Sequence, residues 1–330
     1  MSPKPNIVVL DGYTLNPGDN PWDEVAALGD FTVYERTPAG LIVERARDAD
    51  ILLTNKTPLT AQTLAALPRT RFIAALATGY DVVDAVAAAK HCIPVSNVPG
   101  YGVESVAQFV MAQLLTLARR VETHDRLVRA GEWTRRGEFS FWEGNPIELS
   151  GLTLGVVGFG AIGRRVAELA LCFGMRVVAY APRPKQGLDS PDFAFAPLEA
   201  VFAAADAITL HCPSTPTNEG FVNAALLAGM KPGGFFVNTA RGKLVNEADL
   251  AEALNTGHLA GAALDVLAVE PPAPDNPLLA AKNCFITPHL AWASLSARKR
   301  LTAITAENIR AFLAGQPQNV VNADYLAETC

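Results

Sequence analysis

Short, nearly continuous apolar runs alternate along this chain with longer stretches whose apolar positions recur at helical spacing. In the first hundred residues Ile7–Leu10, Phe31–Tyr34, Ile51–Leu53, Phe72–Ala77 and Pro94–Val98 read as strands. Trp22–Leu28, Leu41–Arg47, Leu59–Leu67 and Val83–Lys90 read as the helices between them. Strands without polar alternation are buried on both faces, so this pattern predicts a parallel sheet covered by helices. A second series begins at Leu152, with strands at Leu154–Val157, Arg176–Tyr180, Ala207–His211, Gly234–Asn238, Gly261–Leu267 and Cys284–Thr287. Its helices are Ile162–Phe173, Leu198–Ala204, Asn223–Ala228 and Glu247–Thr256, and a closing helix covers Ser296–Ala314 with Gly315 as its stop.

Two stretches lie between the series. Val103 to about Arg129 is amphipathic and longer than an average helix, with an interruption expected near Glu122. Residues 131–149 set Trp133, Phe139, Phe141 and Trp142 among Gly, Arg and Glu with no period. They are either an ordered loop tucked onto its own domain or an arm that docks on a partner subunit.

Length adds that two domains are expected, since 330 residues exceed what one core usually organises. A net charge of −6 gives no reason to expect nucleic acid or an anionic membrane surface. No apolar run approaches the roughly 20 residues of a spanning helix. The first residues lead into a strand without a signal-peptide pattern, so a cytoplasmic protein is expected. Cysteines at 92, 172, 212, 284 and 330 are odd in number and lack metal-site spacing, and read as reduced packing thiols. His211 and Cys212 are adjacent on a strand and point to opposite faces, so they are not a nucleophile and its base.

Chemistry is concentrated in the second series. Gly158-Phe159-Gly160-Ala161-Ile162-Gly163 lies between a strand and a helix, with a second strand after it. The first glycine permits the tight turn, the second lets backbone approach a pyrophosphate, and the third lets helix and strand pack closely. The expected acid at the end of the second strand, which would hold the adenosine ribose, is missing from Tyr180-Ala181-Pro182-Arg183-Pro184-Lys185. Without it a 2′-phosphate meets no repulsion, and Arg183 with Lys185 can neutralise one. That tips the expected cofactor toward NADP while leaving NAD open.

Arg241, Glu270 and His289, in order, each sit at the end of what reads as a buried strand. A cation holds a carboxylate in a fork, an imidazole passes a proton to a forming alkoxide, and a carboxylate orients that imidazole. Together they suit reduction of a 2-oxo acid. Gly242 is read as letting the Arg241 backbone crowd against a ligand. Asp265 is read as structural or as a holder of the nicotinamide amide.

These motifs, with Asn238 through Gly242, Asp265 through Pro272 and Pro288 through Ala293, resemble the D-isomer-specific 2-hydroxyacid dehydrogenase family over nearly the whole chain. Leu10 through Asp19 and Pro288 through Trp292 look more like its glycerate dehydrogenase (hydroxypyruvate reductase) branch. The resemblance implies an α/β architecture of two doubly wound parallel-sheet domains. A Rossmann cofactor domain, 101–289, is inserted into a flavodoxin-like substrate domain, 1–100 plus 290–330, and the cleft between them holds the site. It implies Arg241 as the carboxylate-binding arginine, His289 as the acid/base and Glu270 as its partner. Gly79 and Tyr80 would cradle the substrate carboxylate, with Asn55, Lys56 and Trp292 at the cleft edges. Val106, Pro213, Thr239, Ala240, Asp265 and Ala291 match cofactor-contacting positions, and NAD(P)H would reduce hydroxypyruvate or glyoxylate. A homodimer through the cofactor domain is implied, without nucleic acid or membrane partners. Another D-2-hydroxy acid as substrate and a non-catalytic NAD(H) sensor are the alternatives; formate oxidation needs no acid/base proton, and Glu270 argues against it.

Overall fold

The computed structural model describes residues 4–185, 187, 188 and 190–330. The chain separates into two compact units, Met1–Gly102 with Trp292–Cys330, and Val103–Ala291. The strands are β1 (Asn6–Val9), β2 (Asp30–Val33), β3 (Ile51–Thr54), β4 (Phe72–Ala75), β5 (Val95–Ser96), β6 (Thr153–Val157), β7 (Arg176–Tyr180), β8 (Phe193–Phe195), β9 (Ala207–Leu210), β10 (Gly234–Asn238), β11 (Leu259–Leu264) and β12 (Cys284–Ile286). The helices of the first unit are α1 (Asp23–Ala26), α2 (Ile42–Ala46), α3 (Ala61–Ala65) and α4 (Ala85–Lys90), joined late in the chain by α12 (Leu295–Leu313) and α13 (Ala323–Thr329). The second unit holds α5 (Val103–Arg119), α6 (Val121–Arg129), α7 (Glu132–Arg136), α8 (Ala161–Cys172), α9 (Leu198–Ala204), α10 (Ala224–Ala228) and α11 (Glu247–Asn255).

In the first unit the sheet order is β2-β1-β3-β4-β5, with every pairing parallel. Successive strand residues alternate between two cores. Ile7, Val9, Ile51, Leu53, Phe72 and Ala74 pack with Leu301, Ala306 and Ile309 of α12. Val8, Leu10, Leu52 and Ile73 pack on the other face with Ile42, Leu64 and Ala88. This period-two division of apolar residues buries both faces and leaves ligands the strand ends.

The second unit orders its strands β12-β11-β10-β9-β6-β7-β8, again all parallel. One of its faces packs Val157, Ile208 and Phe236 with Val201, Leu227, Leu250 and Leu254. Both doubly wound parallel sheets are as expected. Boundaries moved: Phe72–Ala77 shortens to β4, and Gly261–Leu267 shifts to β11. Beyond expectation are β8, too short for a periodic signal, and the short helices α7 and α13.

The interruption expected near Glu122 falls at Arg120, whose φ of 51° is left-handed. Its carbonyl accepts from His124 Nδ1 at 2.8 Å, while His124 Nε2 accepts the Glu143 N–H at 3.0 Å. Residues 132–143 are thus tied to α6 of their own unit, with the Arg136 guanidinium 4.6 Å over the Phe141 ring. Phe139 and Trp142 stay exposed, at 93% and 63%.

The cysteine reading is corrected at two positions. Cys92 and Cys330 form a disulfide across a sequence separation of 238 residues, with Cα atoms 5.8 Å apart. Sequence spacing hides the pair because packing of α13 on α4 creates the proximity. Cys172, Cys212 and Cys284 remain free thiols.

Candidate active site

The three candidate catalytic residues share a unit because β10, β11 and β12 are consecutive neighbours in one parallel sheet. Their carboxyl ends lie side by side, and each delivers one segment to the same edge. At the end of β10 the buried Asn238 folds its carboxamide around the turn. Its Oδ1 accepts the Ala240 N–H at 2.9 Å and its Nδ2 donates to the Arg241 carbonyl at 2.9 Å. Asn238 was not among the expected site residues, although a polar residue ending an apolar strand was the signal. Arg241 has extended backbone, and its Nη1 donates to the Ala240 carbonyl at 2.7 Å.

The reading of Gly242 is corrected. A Cβ there would stand 1.9 Å from the Leu267 carbonyl carbon, so the glycine is needed for a backbone crossing rather than for a ligand. That crossing sets the Arg241 turn against the segment leading to Glu270. The same segment is held by Glu247 at the start of α11. Glu247 Oε1 accepts the Ala268 N–H and Oε2 accepts Asn276 Nδ2, both at 2.8 Å.

Glu270 lies beyond the end of β11 rather than at it. Its Oε1 accepts the Leu267 N–H at 3.1 Å, and its Oε2 meets His289 Nδ1 at 2.6 Å. The Glu270–Pro271 peptide is cis. Turning Nδ1 to a carboxylate is an arrangement that suits proton exchange at the other ring nitrogen, Nε2. His289 has a φ of 53°, a conformation non-glycine residues adopt rarely and only when their surroundings enforce it.

Asp265 enforces it. Its carbonyl accepts the His289 N–H at 2.8 Å, Oδ1 accepts the Leu290 N–H at 2.9 Å, and Oδ2 accepts the Ala291 N–H at 2.8 Å. The Thr287 hydroxyl donates to Oδ1 at 2.7 Å. Burial pushes the Asp265 carboxyl upward, opposed by these donors and by the His289 charge. Both oxygens are therefore engaged in shaping the His289 turn. Ala291 is buried, and its carbonyl accepts from Ser105 Oγ at 2.6 Å, next to Val106 on α5.

The glycine turn follows β6, at the point where the sheet order reverses between β6 and β9. Gly158 has a φ of 97°, and a Cβ on it would lie 2.7 Å from the His211 carbonyl and the Cys212 nitrogen. A Cβ on Gly163 would lie 2.0 Å from the Gly158 carbonyl oxygen. Gly160, by contrast, has no heavy atom within 4 Å of such a Cβ, and it caps α8 without a side-chain acceptor. Two glycines are fixed by protein backbone, and the middle one borders open space. The first amides of α8, from Ala161 and Ile162 onward, are thus available to an anion. The Thr239 hydroxyl is buried without a hydrogen-bond partner among the described residues. These features fit a dinucleotide.

Phe159 packs on Phe193 and Phe195 at ring-centroid distances of 5.2 and 5.1 Å, so β8 props the turn from below. Arg183 and Lys185 are exposed on the turn after β7, and residues 181–185 include no acid; Gln186 and Asp189 lie outside the described residues. Pro213 follows β9, with its carbonyl accepting Asn218 Nδ2 at 2.9 Å. Burial pushes the His211 imidazole down to about 3 and the Cys212 thiol up to about 11. Neither is charged at neutral pH, consistent with setting aside a Cys–His pair.

The remaining candidates belong to the first unit. The Gly79–Tyr80 loop follows β4 and is tied back by the Thr78 hydroxyl to the Val98 carbonyl at 2.9 Å. Asn55 is buried and donates its Nδ2 to the Leu76 carbonyl at 2.7 Å, a bracing role. Lys56 is exposed beside it. Trp292 packs edge-on to Tyr101 at 6.3 Å between ring centroids.

No helix among the described residues is long and apolar enough to cross a membrane, and no group of three or more His, Cys, Asp or Glu among them could hold a metal ion. Residues 111–291 match the family described as D-isomer specific 2-hydroxyacid dehydrogenase, NAD binding domain. A hydroxypyruvate reductase of Blautia hydrogenotrophica is 44% identical over 319 residues, 96% of this chain and 99% of that protein. A glycerate dehydrogenase of Methylorubrum extorquens is 40% identical over 86% of this chain and 88% of its own. The solved NADPH-dependent glyoxylate/hydroxypyruvate reductase of Sinorhizobium meliloti, in complex with NADP and malonate, superposes with a TM-score of 0.83 at 31% identity, covering 99% of this chain and 98% of that one. With fold, glycine turn and His–Glu pair on one sheet edge, the chain belongs to the D-isomer-specific 2-hydroxyacid dehydrogenases and uses NAD(P).

Proposed function

We propose that this enzyme reduces hydroxypyruvate or glyoxylate to the D-2-hydroxy acid, and runs the reverse oxidation. The observation that carries the reading is the 2.6 Å contact between His289 Nδ1 and Glu270. It aims Nε2 as a proton donor, a group hydride transfer to a carbonyl carbon needs at the carbonyl oxygen. Bound NAD(P)H supplies the hydride. Arg241 forks onto the substrate carboxylate and fixes which face of the carbonyl is presented. His289 protonates the oxygen, and Glu270 stabilises the charged ring before transfer. Asp265, Asn238 and Glu247 hold these three segments in place. In the same reading Gly79 and Tyr80 supply amides for the carboxylate, while Asn55, Lys56 and Trp292 line the hydroxymethyl group. Val106, Thr239, Ala240, Pro213 and Ala291 contact the dinucleotide, and Arg183 favours NADP. The relatives named for hydroxypyruvate, glycerate and glyoxylate support the substrate class.

A homodimer through the cofactor unit belongs to this reading, with the exposed Phe139 and Trp142 as the surface a second copy covers. So does a cytoplasmic location. The test is steady-state oxidation of NADPH and NADH against hydroxypyruvate, glyoxylate, pyruvate and phenylpyruvate. Hydroxypyruvate should exceed pyruvate in kcat/KM, because a buried group left without the substrate hydroxyl is costly. A higher kcat/KM for phenylpyruvate would sink the substrate assignment, and no turnover with any acid would leave a binding protein.

A further inference from the structure

In the first unit the chain runs from β1 outward to β2 and then returns to β3 on the other side of β1. That reversal places the unit's switch point, where a parallel sheet opens a crevice for ligands, between the carboxyl ends of β1 and β3. Asp11 lies just after β1, and Asn55, Lys56 and Thr57 follow β3 directly. The three consecutive backbone N–H groups converge on one carboxylate. Asn55 N donates to Asp11 Oδ1 at 2.8 Å, and Lys56 N and Thr57 N donate to Oδ2 at 2.5 and 2.7 Å. Successive amides of this kind form an anion nest. Here the anion is the protein's own side chain.

Asp11 is itself held firmly. Leu10 N donates to the Leu53 carbonyl at 3.0 Å and Gly12 N to the Tyr34 carbonyl at 2.8 Å. A Cβ on Gly12 would meet Val33 at 2.6 Å, so the backbone after Asp11 lies close against β2. The loop it grips is closed at its base by the Thr54 hydroxyl donating to the Thr57 carbonyl at 2.7 Å. Asn55 ties the same loop to β4 through Leu76. With all three amides engaged, the Lys56 backbone is fixed at the switch point and its ammonium is carried from a defined origin.

We infer that Asp11 is a positioning residue for substrate: by filling the nest it fixes the loop from which Lys56 meets the 2-oxo acid. This rests on the substrate role proposed for Lys56. Charge-assisted bonds to three amides are each stronger than neutral ones, so losing the carboxylate frees the loop without touching the hydride and proton chemistry.

The test compares Lys56→Met, Asp11→Asn, Asp11→Glu and the Lys56→Met/Asp11→Asn pair, with kcat and KM for hydroxypyruvate at saturating NADPH and the Kd of NADPH by fluorescence. Lys56→Met should raise KM about tenfold, and each Asp11 variant should raise it several-fold with kcat and the NADPH Kd within about threefold. The double variant should be no worse than Lys56→Met by more than about twofold, because one removes the group the other positions. An unchanged KM in Lys56→Met would bring down the Lys56 reading and this inference together. An impaired Lys56→Met with normal Asp11 variants, or with losses that multiply, would overturn the Asp11 role alone. Asp11→Glu keeps the charge and moves the carboxylate, so the conclusion does not hang on Asp11→Asn folding.

Discussion

The two parallel sheets of this protein treat their switch points in opposite ways. In the cofactor unit the crevice after β6 is kept clear. Gly160 leaves open space, and the amides at the start of α8 have no capping side chain. In the other unit the corresponding crevice between β1 and β3 is filled by Asp11, which takes up all three amides of the loop beside it. The shared topology supplies backbone donors at both places. What differs is one side chain, and it decides whether those donors wait for a phosphate or hold a loop still.

The largest effect expected in the cofactor unit is at His289. His289→Ala should cut turnover about 10²–10⁴-fold while leaving NADPH affinity near normal, because the dinucleotide turn lies after a different strand. Stopped-flow hydride transfer with parallel binding titrations checks both halves; intact turnover would remove His289 from the chemistry.

The open crevice can be tested against its own neighbours. Gly160→Ala should fold with an unchanged Tm and bind NADPH at least about tenfold more weakly, since its methyl occupies ligand space. Gly163→Ala should instead lose stability, about 1–3 kcal/mol, because its methyl would stand 2.0 Å from the Gly158 carbonyl oxygen. Thermal melts and titrations on the pair would break the contrast if the two variants behaved alike.

A smaller effect is expected at the adenosine end. Arg183→Ala should weaken NADPH several-fold more than NADH if the arginine neutralises a 2′-phosphate. Equal losses for both cofactors would make the turn after β7 a solvated surface.

The smallest effect concerns pH. His211 is half-buried beside the glycine turn, with Nε2 3.0 Å from the Thr209 hydroxyl, and desolvation lowers its pKa from 6.5 to about 3. The folded state therefore binds this proton more weakly than the unfolded chain. The stability involved is complete above about pH 6.5 and is lost as pH falls toward 3, by at most about 1.4 kcal/mol per pH unit. His211→Gln should flatten that part of the profile in denaturant titrations between pH 6.5 and 4. An unchanged slope would mean the ring is solvated when the protein is folded.

Much of this is legible in the sequence. The period of apolar residues marks every described strand but β8, because strand and helix burial each leave a local rhythm, and the glycine turn is readable because its glycines fall within one strand–turn–helix unit. Arg241, Glu270 and His289 stood out as polar residues shortly after buried runs. Less legible were residues whose work is to hold others. Asn238, Glu247 and Asp11 look like ordinary polar residues, and only their partners reveal a role. Gly242 was misread for the same reason: a glycine facing a ligand and one facing a crossing strand segment look identical in sequence.

By itself, then, the sequence determined the alternation of strands and helices, the dinucleotide turn and the set of chemical groups on offer, because those depend on residues near one another in the chain. Tertiary structure decided which of those groups meet. The order β12-β11-β10 brings His289 to Glu270 across 19 residues, and the order β2-β1-β3 brings Asp11 to the Asn55 loop across 44. Packing of α13 on α4 joined two cysteines 238 residues apart. Strand order is set by how whole apolar faces find mutual burial, a property of the assembled sheet that no local window of residues carries.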